Sequence, residues 1–98
     1  MAEIPVEELI RKAAVDRGVD PAVALRIAER ESSLNPTAKN KLSSAYGLFQ
    51  ITDKTWKQYG GTKENRASME DNIRIGMDII ADNERTYVKK FGRAPSPA

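Results

Sequence analysis

The stretch Asp20 to Pro36, DPAVALRIAERESSLNP, carries the most information about the fold. It opens on an N-cap residue followed by proline at the first helical position, where a missing N–H is no loss. It closes on Asn35-Pro36, a pair at which helices end. Between these signals Val23, Ala24, Leu25, Ile27 and Ala28 recur at helical spacing, which predicts a helix from Pro21 to about Ser33. On a wheel of about 100° per residue, Glu31 lies within roughly 10 to 20° of the mean direction of those apolar residues, whereas Glu29 points nearly opposite. A carboxyl on the apolar side is expected to be sheltered, and shelter favours its protonated form. In a cleft such a group is a proton donor. The plainer alternative is a partly exposed or arginine-paired helix end.

Working outward, Pro5 with Glu7 and Glu8 reads as another helix start, and Val6, Leu9, Ile10, Ala13 and Ala14 continue it until Gly18. Thr52 caps a short predicted helix, Asp53 to Tyr59, which Gly60-Gly61 ends. Ser68, with Asp71 three residues on, opens the longest predicted helix, Met69 to Phe91. Its apolar stripe runs from Met69 and Ile73 through Gly76, Met77 and Ile80 to Tyr87, Val88 and Phe91. Residues 35 to 52 are rich in Asn, Ser, Lys and Gly and read as a long connection with at most a small hairpin. The expected fold is therefore all-α and compact, one domain over residues 1–92, with 93–98 a linker or cut end.

Composition narrows the chemistry. The 98 residues hold 16 Lys plus Arg against 14 Asp plus Glu, with no Cys and no His. Disulfides, Cys/His zinc sites, thiol nucleophiles and Ser-His-Asp relays are excluded. Basic and acidic residues interleave, so no nucleic-acid-binding face is expected. No apolar stretch approaches the ~20 residues of a membrane-spanning helix. The acidic start, Met1 to Glu8, lacks the layout of a secretory signal. No cofactor is expected.

From Ser32 to Thr52 there is not one acid; the segment offers Asn, Ser, Gln, Tyr and Phe. These side chains grip sugars by hydrogen bonds and ring stacking. A solitary acid among them suits glycosidic chemistry better than phosphoryl or peptide chemistry, which calls for a metal or an activated nucleophile.

Three ordered blocks then become recognisable: Glu31-Ser32 with Asn35-Pro36 and Ala38; Ala45-Tyr46-Gly47-Leu48-Phe49-Gln50-Ile51 with Thr55; and Asn72-Ile73-Arg74-Ile75-Gly76. Together they resemble the soluble lytic transglycosylase family of the lysozyme-like superfamily. The resemblance implies a helical lysozyme-like fold with a groove for peptidoglycan glycan strands. It also implies cleavage of the β-1,4 bond between N-acetylmuramic acid and N-acetylglucosamine, leaving an anhydro-muramic end. Glu31 would be the general acid and base. Gln50 would line the groove, or merely brace a loop. Gly47 would let backbone approach the sugar, or simply make a turn. Tyr46 and Phe49 would shape sugar subsites or belong to the core, and Ser32 would orient the acid or cap its helix. Trp56 and Tyr59 read as packing, Asn72 and Ile73 as structural, and Gly76 as a place where two helices approach.

Departures from the family pattern matter. The position nine residues after the acid, where members often carry a serine close to the carboxylate, holds Asn40; Ser43 and Ser44 are the substitutes at hand. The tyrosine-bearing block that usually follows the long helix does not occur before Ala98. Asp53 lies one position past the acid of goose-type lysozymes, which keeps a hydrolytic muramidase in view. The rival from another class is a non-catalytic module that holds peptidoglycan or a partner protein. The expected setting is a bacterial envelope or periplasm, or a phage virion, as part of a larger protein.

Overall fold

A computed structural model describes residues 4–92. The order is α1 (Val6–Arg17), α2 (Pro21–Ser32), α3 (Asp53–Gln58) and α4 (Met69–Phe91). Among the described residues no sheet forms. The loop holds only two antiparallel bridges, Lys39 with Tyr46 and Tyr46 with Ile51, in place of a full hairpin. The tail 93–98 lies outside the described residues.

The helix limits follow their local signals. Gly18 (φ 80°) ends α1 in the left-handed region, its N–H donating to the carbonyl of Val15 while Val19 N–H reaches that of Ala14. Asp20 caps α2 by accepting from Ala22 N–H at 2.9 Å. Ser68 caps α4 by accepting from Asp71 N–H at 3.1 Å. The end of α2 is less ordinary, because Ser33 (φ 53°) and Leu34 (φ 62°) are both left-handed without being glycine. Leu34 thereby turns back and packs against the core.

α1 packs on α2 and on α4. Ile10 and Ala14 of α1, Ala24 and Ala28 of α2, Trp56 of α3, and Ile73, Ile75 and Met77 of α4 are buried, joined by Leu48 and Ile51 from the long connection. Tyr59 donates its hydroxyl proton to Asp82 at 2.8 Å, and Trp56 its indole N–H to the Thr62 carbonyl at 3.0 Å. Both residues are structural, as their spacing suggested.

Two expectations need correction. The stripe of α4 is buried only as far as Ala81; Val88 and Phe91 are 42% and 54% exposed, and Tyr87 is half-buried against the Phe91 ring. A helix of 23 residues is about 34 Å long, against about 18 Å for the 12-residue α1 and α2, so its last turns outrun the helices that cover it. Gly76 does not serve a helix–helix contact. A Cβ there would meet the Phe49 ring at 2.7 Å, so the missing side chain makes room for a loop residue.

Gly76→Ala is accordingly expected to destabilise the domain. Overpacking costs about 1–3 kcal/mol, which outweighs the roughly 0.5–1 kcal/mol that alanine gains over glycine in a helix. A thermal scan gives the sign; a midpoint at or above wild type contradicts this packing.

Candidate active site

Glu31 sits in the last turn of α2, beside Ser32. It is exposed, and among the described residues its carboxylate makes no hydrogen bond or ion pair. The wheel placed it toward the apolar side, but α2 loses its cover where the chain turns away at Ser33 and Leu34. The shelter on which the proton-donor argument was built is therefore absent. So is the arginine pairing of the plainer alternative.

What the structure does build is a fixed mount for the helix end that carries this acid. The Ser32 hydroxyl lies 2.8 Å from the Leu48 carbonyl and 3.0 Å from the Ala28 carbonyl, within donating distance of both. Ser32 thus makes no bond to the Glu31 carboxylate; its bond to the Ala28 carbonyl closes the helix end, as its plainer reading held. It ties the first sequence block to the second.

The turn 46–51 is held from the other side by Asn72 of α4, a polar residue only 1% exposed. Its Oδ1 accepts from Phe49 N–H and its Nδ2 donates to the Tyr46 carbonyl, both at 3.0 Å. This explains Gly47 (φ 83°): a Cβ there would stand 2.4 Å from Asn72 Nδ2. The space that a side chain at Gly47 would take is filled by the asparagine amide. Phe49 is 8% exposed and lies on Gly76, so it is core and not a sugar subsite.

Gln50 (φ 47°) donates from Nε2 to the carbonyls of Ala38 (3.0 Å) and Gly47 (2.9 Å), bracing the loop as its plainer reading held. Its Oε1 has no partner among the described residues and is not buried, leaving an acceptor free for a ligand. Tyr46 is half-buried. Asn40, Ser43 and Ser44 are exposed, but their side chains serve the loop: Asn40 Oδ1 accepts from Leu42 N–H, Ser43 Oγ from Ala45 N–H and Ser44 Oγ from Asp53 N–H. Among the described residues none bonds to Glu31. Asp53 is paired with Arg66 at 2.9 Å.

The family model for the transglycosylase SLT domain matches residues 8–94. This chain belongs to the SLT transglycosylase family. The SLT domain is also similar to the membrane-bound lytic murein transglycosylase C of Photorhabdus laumondii subsp. laumondii, with 31% identity over 97 residues. That match covers 90% of this chain and 27% of the relative, so the chain spans about a quarter of that protein's length. No solved structure matches. The all-α, lysozyme-like architecture agrees with the family, and no described helix is long and apolar enough to cross a membrane.

Sequence reasoning missed Arg66 in this SLT domain. Its guanidinium carbon stands 5.8 Å from the centre of the Tyr46 ring and 5.0 Å from that of the Trp56 ring. A cation stacked on rings 20 and 10 residues away leaves no periodic trace in a sequence.

Proposed function

We propose that this SLT domain is a peptidoglycan lytic transglycosylase in which Glu31 is the general acid and base. The observation that supports the reading is the Ser32–Leu48 hydrogen bond. It fixes the end of α2 that carries the acid against the turn that carries Gln50, in a chain of the SLT family.

The step balances with one carboxyl. As the bond from C1 of N-acetylmuramic acid to the bridging oxygen breaks, Glu31 gives its proton to that oxygen. The resulting carboxylate takes the proton of the C6 hydroxyl while O6 bonds to C1. The acid is regenerated, an anhydro ring forms and no water is consumed. The substrate's acetamido group steadies the positive charge at C1. A hydrolase would need a second acid beside the bond. Asp53, the residue named for that part, is paired with Arg66.

Because Glu31 is exposed, the reading requires that bound glycan cover the carboxyl and exclude water from it. The same exposure favours the second reading, a module that holds glycan without cutting it. Incubation with purified sacculi separates the two. Release of soluble muropeptides supports the enzyme; binding to the pellet with no release, by a domain shown to be folded, supports the binder. The substrate sets the workplace at the bacterial wall, reached from the envelope or from a virion, as one part of a larger protein.

A further inference from the structure

We infer that Arg66 is a positioning residue for glycan binding, holding the turn 44–53 in the shape that presents Gln50. The inference rests on the reading of that turn as a wall of the glycan groove.

Arg66 lies between α3 and α4 with its side chain 20% exposed. Its Nε donates to Asp53 Oδ1 at 2.9 Å, and its Nη2 donates to the carbonyls of Ser44 at 3.0 Å and Ile51 at 2.5 Å. One guanidinium therefore grips the entry of the turn, its exit and the first residue of α3. Ser44 Oγ closes the same ring by accepting from Asp53 N–H. Only a planar fork reaches three oxygens in this way, and a lysine does not.

Between the gripped ends the backbone is strained. Gln50, a residue with a Cβ, is held left-handed at φ 47°, next to the paired Tyr46 and Ile51. Such a conformation persists only when its surroundings over-determine it. Asn72 fixes the near side, at Tyr46 and Phe49, and Arg66 is what fixes the ends. Its own arrangement is not optimal as structure alone: Nη1 is buried with no hydrogen-bond partner, beside the Tyr46 and Trp56 rings. An arginine kept there at the expense of an unpaired donor is explained by what its other two nitrogens hold. Without them the turn relaxes, Gln50 leaves the left-handed region, and its free Oε1 no longer faces the sugar from a fixed place.

The test compares wild type with Arg66→Met and Arg66→Lys for binding to purified sacculi and for KM and kcat of muropeptide release. All are assayed below the onset of each variant's thermal unfolding. Emission from Trp56, the one tryptophan of the chain, reports loss of the stacked cation. Both variants are expected to be folded yet to bind roughly tenfold more weakly, with KM raised by a similar factor and kcat changed less. Lysine should recover thermal stability over methionine without recovering binding, a split that a purely structural role does not produce. Wild-type binding by either folded variant, or loss that merely follows the folded fraction, overturns the inference. Should both fail to fold, Asp53→Ala removes only the Nε anchor; weaker binding supports the inference, and unchanged binding overturns it. If wild type binds sacculi without releasing fragments, the catalytic reading fails while the binding comparison still decides the role of Arg66. If wild type does not bind, the inference fails too.

Discussion

Replacing Glu31 by Gln is expected to lower muropeptide release by about 10²- to 10⁴-fold and to leave the fold untouched. Glutamine keeps the shape of the side chain and removes its proton chemistry. Both proton transfers of the proposed step pass through this one group. Stability should stay within about 0.5 kcal/mol, because the side chain is exposed and bonds to nothing among the described residues. Sacculus binding should persist, since the mount at Ser32 and the turn at Gln50 are unchanged. A variant that cleaves at the wild-type rate removes Glu31 from the mechanism; one that fails to fold contradicts the exposure described above.

The largest effect on stability is expected at Asn72. In Asn72→Ala the Phe49 N–H loses its partner inside the protein, at a cost of about 1–3 kcal/mol; the Tyr46 carbonyl loses one of its two donors and keeps Ile51 N–H, and the vacated volume adds to the loss. A total of roughly 3–5 kcal/mol is a large share of the 5–15 kcal/mol typical of a whole domain. At about 4–8 °C per kcal/mol for a chain of this size, the unfolding midpoint should fall by roughly 12–40 °C. Calorimetry decides; an alanine variant within about 1 kcal/mol of wild type would show that the turn does not depend on this amide. Muropeptide release should fall as well, even at temperatures where the variant is folded, because the turn carrying Gln50 loses one of its two clamps.

How much of this could be read from the sequence depends on how local each cause is. The limits of α1, α2 and α4 are set within a few residues by Gly18, Asp20-Pro21, Ser68 and Gly92, and they were legible. The coverage of a face was not. The wheel gave the direction of Glu31 and of Val88 and Phe91, but a wheel carries no information about whether another element reaches that far. α2 turns away too soon, and α4 outlasts its neighbours. The roles of Gly47 and Gly76 were hidden for a related reason. Each glycine makes room for one particular side chain, Asn72 or Phe49, more than 20 residues away in the chain. The three family blocks are adjacent in space because Ser32 bonds to Leu48 and Asn72 to Tyr46 and Phe49. Their ordered spacing in the sequence is the trace of those three contacts. Arg66 left no such trace, and only the structure shows it.

The chemistry of the new chain ends tests the account most directly. Mass analysis of muropeptides released from sacculi by wild type should give muramic ends lighter by one water than ordinary reducing ends, with none from Glu31→Gln. Reducing ends from wild type, or no released fragments from a folded and glycan-bound domain, would contradict it.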